Sequence, residues 1–504
     1  MSRVLIGQSY YLRFDDKLWR AMQPYPPLGS LYAAAVLREA GHEVIVFDAM
    51  LAGSEDDWDV ALAQHRPDIA VVFEDNFNYL SKMCLLRMRE AAFRMLSMAH
   101  ARGGAAIVCG SDATDHAASY LDAGADYVVV GEGEATLREL VHAIDSDGVR
   151  NSTALDIVGL TFRDAAGQLV ATGRRDNQRD LDAIPFPAWD LIEIEPYRQA
   201  WSRHGRFSIN MATTRGCPFH CNWCAKPIWG QRYAVRSPEN VVAELELIRD
   251  RFAPDHISFV DDIFGLRPAW IPAFADLVRS RGLVTPFKCL SRADLLVRDG
   301  EVDALRDAGC ETVWMGAESG SQMILDAMDK GTRVEQIIEA ARRLRAAGIR
   351  TGFFLQFGYP GEGPDEIEAT RRLVRECQPD DIGISVSYPL PGTVFHDRVR
   401  EQMAGRQNWV DSDDLSMLYE GPFPTDFYRE LHQVVHKEFR LRQAAGSTSM
   451  VRHLGRALRL PPQRQRLARV RDAVTLPRDE RTLQRRMTAE RRPARSPGLE
   501  IRRA

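Results

Sequence analysis

Cys217-Pro218-Phe219-His220-Cys221-Asn222-Trp223-Cys224 follows an apolar, strand-like run from Phe207 to Ala212, and this stretch decides how the rest of the chain is read. Three thiolates spaced x3 and then x2 on one short loop can hold three irons of a four-iron cluster and leave the fourth iron open, since iron–sulfur clusters are commonly held by cysteine. An open iron implies chemistry rather than electron storage alone. The rival is a zinc site, which normally has four closed ligands. No second CxxC pair occurs elsewhere, and His220 sits between two of the cysteines.

The CxxxCxxC spacing after a first strand resembles that of the radical S-adenosylmethionine (SAM) enzymes, whose cluster loop follows the first strand of a partial barrel. The resemblance implies a 4Fe-4S cluster on Cys217, Cys221 and Cys224, with SAM bound to the open iron by its amino and carboxylate groups and cleaved to a 5′-deoxyadenosyl radical. Phe219 and Trp223 are similar to the aromatic shielding usual there. Ordinary loop anchoring is the alternative for both.

A chain of 504 residues with 45% hydrophobic content can build two or three cored domains. It contains no apolar run of the roughly 18 residues that a membrane span needs. The N-terminus passes directly into a strand and then meets Arg13, Asp15 and Asp16, so no signal peptide is expected. Eight cysteines, three of them clustered, argue against a disulfide scaffold and for a reducing, cytoplasmic setting. The others, Cys84, Cys109, Cys289, Cys310 and Cys377, read as small core residues. Net charge is −5, yet residues 448 to 504 hold 16 Arg, no Lys and 5 acids, a tail of +11 on a body of −16. Nucleic acid, anionic lipid or the acidic body could all meet such a tail. With Pro461-Pro462 and Pro493 to Pro497 as helix breakers, a flexible basic appendage is expected over 446–504.

Residues 1–145 alternate strands (Arg3 to Ile6, Val44 to Phe47, Ile69 to Phe73, Ala105 to Val108, Tyr127 to Val130) with amphipathic stretches at Leu28 to Ala40, Leu85 to Ala101 and Ala135 to Ile144. That rhythm predicts an α/β fold with a doubly wound, Rossmann-like sheet. Residues 146–205 read as a linker with a hairpin around Ala165-Ala166-Gly167. Residues 206–403 resume the alternation with strands near 207–212, 256–260, 286–290, 312–316, 351–357 and 382–388, a partial (β/α)6 barrel of the TIM type. Residues 404–445 read as a helical cap.

Barrel chemistry sits at the C-terminal ends of the strands, and here those ends are polar. The resemblance implies that Asp261 or Asp262 lies near the amino-acid end of SAM, Glu318 and Gln356 near its ribose or amino group, and the turn from Tyr388 to Gly392 near the adenine. Arg292 suits the SAM carboxylate, which a guanidinium matches in a bidentate fork. Against these stand a helix cap for Asp262 and a structural ion pair for Glu318.

In the N-terminal region, Gly110-Ser111-Asp112-Ala113-Thr114 and Gly131-Glu132-Gly133-Glu134 follow the late strands, where doubly wound folds bind ligands. Neither GxxxxGK[ST] nor a GxGxxG after the first strand is present. Placed before a radical SAM barrel, this region resembles the cobalamin (B12)-binding domain of the branch that holds the anaerobic magnesium-protoporphyrin monomethyl ester cyclase and the B12-dependent methyltransferases. Pro26-Pro27-Leu28-Gly29-Ser30-Leu31-Tyr32, Ala123-Gly124-Ala125-Asp126-Tyr127 and the Gly131 loop carry the likeness. It implies cobalamin contacts at Gly110, Ser111, Thr114, Gly131 and Glu132. No DxHxxG follows the first strand, so no histidine is placed to reach cobalt, and His116 reads as a loop residue.

The function implied is C-methylation of an unactivated carbon. Oxidative cyclisation or rearrangement begins with the same hydrogen abstraction and stays open. RNA methylthiolation needs three further N-terminal cysteines where only Cys84 and Cys109 stand. A non-catalytic cobalamin or iron–sulfur sensor would have no use for the polar barrel mouth. The partners expected are a small-molecule substrate and a reductant such as flavodoxin or ferredoxin; the acidic body disfavours nucleic acid. Trp409, Tyr419, Phe423 and Phe427 either close over a small or lipidic molecule or simply pack.

Overall fold

A computed structural model of the chain describes all residues except 79–80, 82–84, 150–151, 225–227, 404, 406–407, 447–462 and 493–504. Cys84, Pro461, Pro462 and the last twelve residues of the basic tail therefore lie outside the described residues.

The first sheet comprises β1 (Arg3–Gly7), β2 (Glu43–Phe47), β3 (Ile69–Phe73), β4 (Ala105–Cys109), β5 (Tyr127–Val129), β6 (Leu160–Arg163) and β7 (Leu169–Ala171), in the order β2-β1-β3-β4-β5-β6-β7. The first five are parallel. Runs such as Ile69–Phe73 are apolar at every position because helices cover both faces. Leu28–Glu39 and Glu134–Asp147 pack one face, Glu55–His65 and Leu86–Ala101 the other. The strand order reverses between β1 and β3, the point at which such sheets open a ligand crevice.

The hairpin of β6 and β7 adds antiparallel to β5 and extends this sheet, rather than standing apart in a linker. Leu160 and Phe162 point into the core, and the Phe162 ring lies 5.4 Å from that of Tyr127. Gly167, at φ +79°, turns the hairpin.

The second sheet holds β8 (Ser208–Met211), β11 (His256–Phe259), β12 (Phe287–Ser291), β13 (Cys310–Glu318), β14 (Arg350–Phe357) and β15 (Asp381–Val386), all parallel, in the order β15-β14-β13-β12-β11-β8. Strand alternation divides its faces. Ile209, Met211, Phe259, Val313, Met315, Phe353 and Leu355 are buried. The register puts Asn210, Ser258, Lys288, Trp314, Phe354 and Gln356 on the opposite, inner face. Between β8 and β11, the short antiparallel pair β9 (Thr214–Arg215) and β10 (Ala234–Val235) pinches the loop that carries the three clustered cysteines.

Helix Thr425–Gly446 closes the barrel end. Residues 463–489 form a further helix rather than a loose appendage. Leu483 and Met487 are buried, and Asp472, Asp479 and Glu480 pair with Arg440, Lys437 and Arg371 of the body at 2.6 to 2.9 Å. Pro477 sits exposed inside this helix, so the carbonyl it leaves without an intrahelical donor lies on the solvent side. No helix among the described residues is long and apolar enough to cross a membrane.

Candidate active site

The cysteine loop is held from below by Asp261. Its Oδ1 accepts the backbone N–H groups of Thr213 and Thr214, and its Oδ2 accepts the Thr213 hydroxyl, each at 2.7 Å. Burial lifts this carboxyl to about 6 despite those bonds. Asp261 is thus spent on positioning the loop, whereas the sequence suggested a SAM contact; half-buried Asp262 is its neighbour. Gly216, at φ +80°, starts the loop where a Cβ would stand 2.2 Å from the Arg232 carbonyl oxygen. In mid-loop, Asn222 donates to the Ala327 carbonyl at 2.8 Å and Asp329 at 3.0 Å, and accepts from the Tyr359 hydroxyl at 2.7 Å. Cys217, Cys221 and Cys224 are partly exposed on this braced loop.

Arg292, just past β12, lies with its guanidinium 3.6 Å over the Phe219 ring and Nη1 3.9 Å from the Cys221 sulfur. It also donates to Asp294 at 2.9 Å and to the Lys330 carbonyl at 2.8 Å. Its fork is therefore committed to the loop, not left open for a ligand carboxylate. The cation that sequence reading missed is Lys330, whose Nζ lies 2.8 Å from Glu318 Oε1 with both side chains buried. Burial pulls the Lys330 ammonium down, but the neighbouring Glu318 and Cys221 outweigh it and hold it above its ordinary value. A Cβ at Gly316 would stand 2.6 Å from that Nζ, so the glycine makes room for the lysine. Glu318 itself has φ +56° at a bulge ending β13, a strained left-handed conformation of the kind found at functional sites. Gln356 Oε1 on β14 and Thr332 Oγ1 are buried without a hydrogen-bond partner among the described residues. Tyr388 packs on Trp409 with ring centroids 4.3 Å apart.

At the top of the first sheet, Gly110 is tight against Glu74, where a Cβ would stand 2.7 Å from Cγ. Ser111 donates to the Ser81 carbonyl at 3.3 Å, and Thr114 Oγ1 accepts from Gly131 N at 3.1 Å. Glu132 accepts from Gln178 N at 2.6 Å and from Arg215, and Arg215 also donates to Glu134 at 2.7 Å. Sequence reading assigned Glu132 to a cofactor; its carboxylate is instead taken by an arginine two residues before Cys217. Both atoms of the Gln8 amide, Tyr10 Oη and Asn76 Oδ1 are buried without partners among the described residues. All three residues follow β1 or β3, beside the switch point.

Residues 211–374 match the Radical SAM superfamily and residues 20–141 the B12 binding domain. This chain is a radical SAM protein with a B12-binding domain. An uncharacterised methyltransferase of Pyrococcus horikoshii is 28% identical over 393 residues, covering 76% of this chain and 81% of its own. The anaerobic magnesium-protoporphyrin IX monomethyl ester cyclase of Cereibacter sphaeroides is 32% identical over 283 residues, 55% of this chain but only 45% of the cyclase. Among solved structures, the radical SAM methyltransferase TsrM of Kitasatospora setae, with cobalamin and a [4Fe-4S] cluster bound, shares the fold with TM-score 0.64 at 21% identity, covering 81% of this chain and 76% of that one.

The donor sets suit the cofactors of a radical SAM protein of this kind. Three cysteines on one loop match a cluster with an open iron. Opposite charges on Glu318 and Lys330 match a zwitterionic amino acid. Buried polar atoms are nearly always paired, so the unpartnered amides and hydroxyl of Gln8, Asn76 and Tyr10 suit a macrocycle fringed with amides, such as cobalamin. Glycines after β4 and β5 drew attention in the sequence; the unpartnered atoms lie instead after β1 and β3, where only the folded sheet order brings Gln8 and Asn76 side by side.

Proposed function

We propose that this radical SAM enzyme is a cobalamin-dependent methyltransferase acting on an unactivated carbon of a small molecule, in a reducing cytoplasm and with a carrier protein as reductant. The observation that carries this reading is the Arg215 bridge, which fixes the thiol loop against the B12-binding domain. Cys217, Cys221 and Cys224 hold the cluster. Lys330 and Glu318 answer the carboxylate and ammonium of SAM, and Gln356 accepts from its ribose or ammonium. Gln8, Tyr10 and Asn76 hydrogen-bond the corrin amides. When bound, the cluster supplies the electron that cleaves SAM, and cobalamin supplies the methyl group to be transferred. The protein's own work is orientation: Asp261 and Asn222 fix the thiols, Arg292 covers the loop beside Cys221, and burial around Lys330 keeps water from the ion pair.

Cyclisation is the second reading, favoured by the 32% identity to a cyclase. Anaerobic reconstitution with iron, sulfide and hydroxocobalamin, then SAM and dithionite, tests the shared part. The wild-type protein forms 5′-deoxyadenosine and retains cobalamin, and Cys221→Ser forms none. A cluster-replete protein that makes no 5′-deoxyadenosine ends the proposal. Label from methyl-SAM appearing in product separates methylation from cyclisation.

A further inference from the structure

Helix 463–489 has two opposite faces. Asp472, Asp479 and Glu480 are turned to the body and paired there, and Arg486 bridges to Glu430 at 2.8 Å. On the other side Val470 and Val474, 63% and 73% exposed, continue into Arg478, Arg481 and Arg485. Those five recur at helical spacing along one solvent-facing stripe. Among the described residues, none of the three arginines makes an ion pair. Exposed apolar side chains beside guanidinium groups that lack ion pairs among the described residues, on a protein of net charge −5, form an interface patch rather than a solvated charge run.

The far end of this helix reaches the barrel mouth. Arg492 N donates to the Pro422 carbonyl at 2.9 Å, and the Arg491 guanidinium lies 2.9 Å from where a Gly363 Cβ would stand. Gly363 ends the turn that begins at Tyr359, and the Tyr359 hydroxyl bonds Asn222 between Cys221 and Cys224. The segment just past the helix therefore meets, at Gly363, the turn whose Tyr359 touches the thiol loop.

We propose that the stripe of Val470, Val474, Arg478, Arg481 and Arg485 docks an acidic one-electron carrier protein of the flavodoxin or ferredoxin kind. The inference rests on the radical SAM reading. Each cleavage of SAM takes up one electron: the carrier is oxidised by one electron, the iron–sulfur centre is reduced by one, and that electron breaks the C5′–S bond of SAM to give methionine and the 5′-deoxyadenosyl radical. Complementary charge steers such encounters and raises their rate. RNA could meet the same arginines, but the exposed valines and the acidic body favour a protein partner.

The test uses the full-length reconstituted protein and follows 5′-deoxyadenosine under two reductants: dithionite, and a purified acidic flavodoxin with its reductase and NADPH below saturation. In Arg478→Glu/Arg481→Glu/Arg485→Glu the flavodoxin-driven rate falls about tenfold or more, while the dithionite-driven rate is unchanged. The triple Gln variant falls less, and the wild-type flavodoxin-driven rate declines with added salt. A flavodoxin-driven rate that the Glu variant leaves at the wild-type level overturns the proposal. So does an unchanged rate accompanied by lost binding to an RNA oligomer or to anionic vesicles. If wild-type protein makes no 5′-deoxyadenosine even with dithionite, the radical SAM reading itself has failed and the docking proposal falls with it.

Discussion

The Arg215 guanidinium donates to the Glu134 carboxylate at 2.7 Å across the boundary between the two sheets, with both side chains buried. Burial alone would lower the Arg215 pKa, but the charges of Glu134 and Glu132 outweigh it and raise it. The rings of Tyr32 and Phe77 lie 5.2 and 5.6 Å from the guanidinium, so four N-terminal residues hold one cation of the cysteine loop.

Removing that cation leaves two carboxylates buried together. Arg215→Met should cost about 3 to 5 kcal/mol, the usual penalty for breaking a buried pair from one side. Glu132→Gln, which keeps a hydrogen-bond acceptor and relieves the repulsion from Glu134, should cost much less. Denaturant midpoints of the three proteins check this; equal midpoints would show that the triad is not a structural joint.

Lys330 and Glu318 should govern SAM affinity. Lys330→Met removes a charge-assisted bond worth roughly 1.5 to 3 kcal/mol, so SAM should bind about 10- to 100-fold more weakly. Iron content should stay at the wild-type level because the thiols are untouched. Equilibrium binding of SAM to the reconstituted variant measures the first, and iron analysis the second.

Gln8 carries two buried polar atoms that no described residue satisfies. Gln8→Leu should therefore leave the cobalamin-free protein as stable as wild type or more stable, by about 1 to 3 kcal/mol. It should also reduce cobalamin retention after gel filtration. A destabilised variant that keeps its cobalamin would show that Gln8 serves the fold instead.

Glu74 predicts a pH dependence. Burial pushes its carboxyl up to about 8, against the hydrogen bonds that Ser9 donates. Raised above its unfolded value, it binds a proton in the folded state that the unfolded chain releases from about pH 4.5 upward. Its contribution to stability is thus fully present below pH 4.5 and is lost as pH rises through 8. The slope is at most about 1.4 kcal/mol per pH unit. Glu74→Gln should flatten the fall in urea midpoint between pH 5.5 and 8; an unchanged slope would place the titration elsewhere, for example at Glu362, which burial also raises to about 8.

The strand runs were legible because each is short, apolar and bounded by turn residues. The thiol loop was legible because its spacing is local. Three things were not. The hairpin at 160–171 joins a sheet through β5, a pairing that periodicity does not encode. The helix at 463–489 was hidden by Pro477, by the prolines that flank it and by its arginines, since its buried face rests on Leu483, Met487 and three acids whose partners lie far away in the chain. Lys330 follows a helix and a turn, twelve residues after Glu318, and nothing local announces that a bulge will bring the two together. Asp261, Arg292 and Glu132 were recognised as important by position, yet their roles differ because a sequence shows a charge without showing what has already claimed it.

The Arg215 bridge also sets an order of assembly. Glu134 precedes Arg215 by 81 residues, so the N-terminal sheet can be complete on the growing chain before the thiol loop is synthesised. The loop then closes on a finished surface, and metal insertion meets three thiols already anchored on one side. Helix 463–489 must wait until the whole barrel exists, because its partners span Arg371 to Arg440. Maturation therefore runs in one direction, from cofactor domain to thiol loop to outer helix, and the barrel expressed alone would present the metal-loading machinery with a loop whose buried cation has lost its counter-charges.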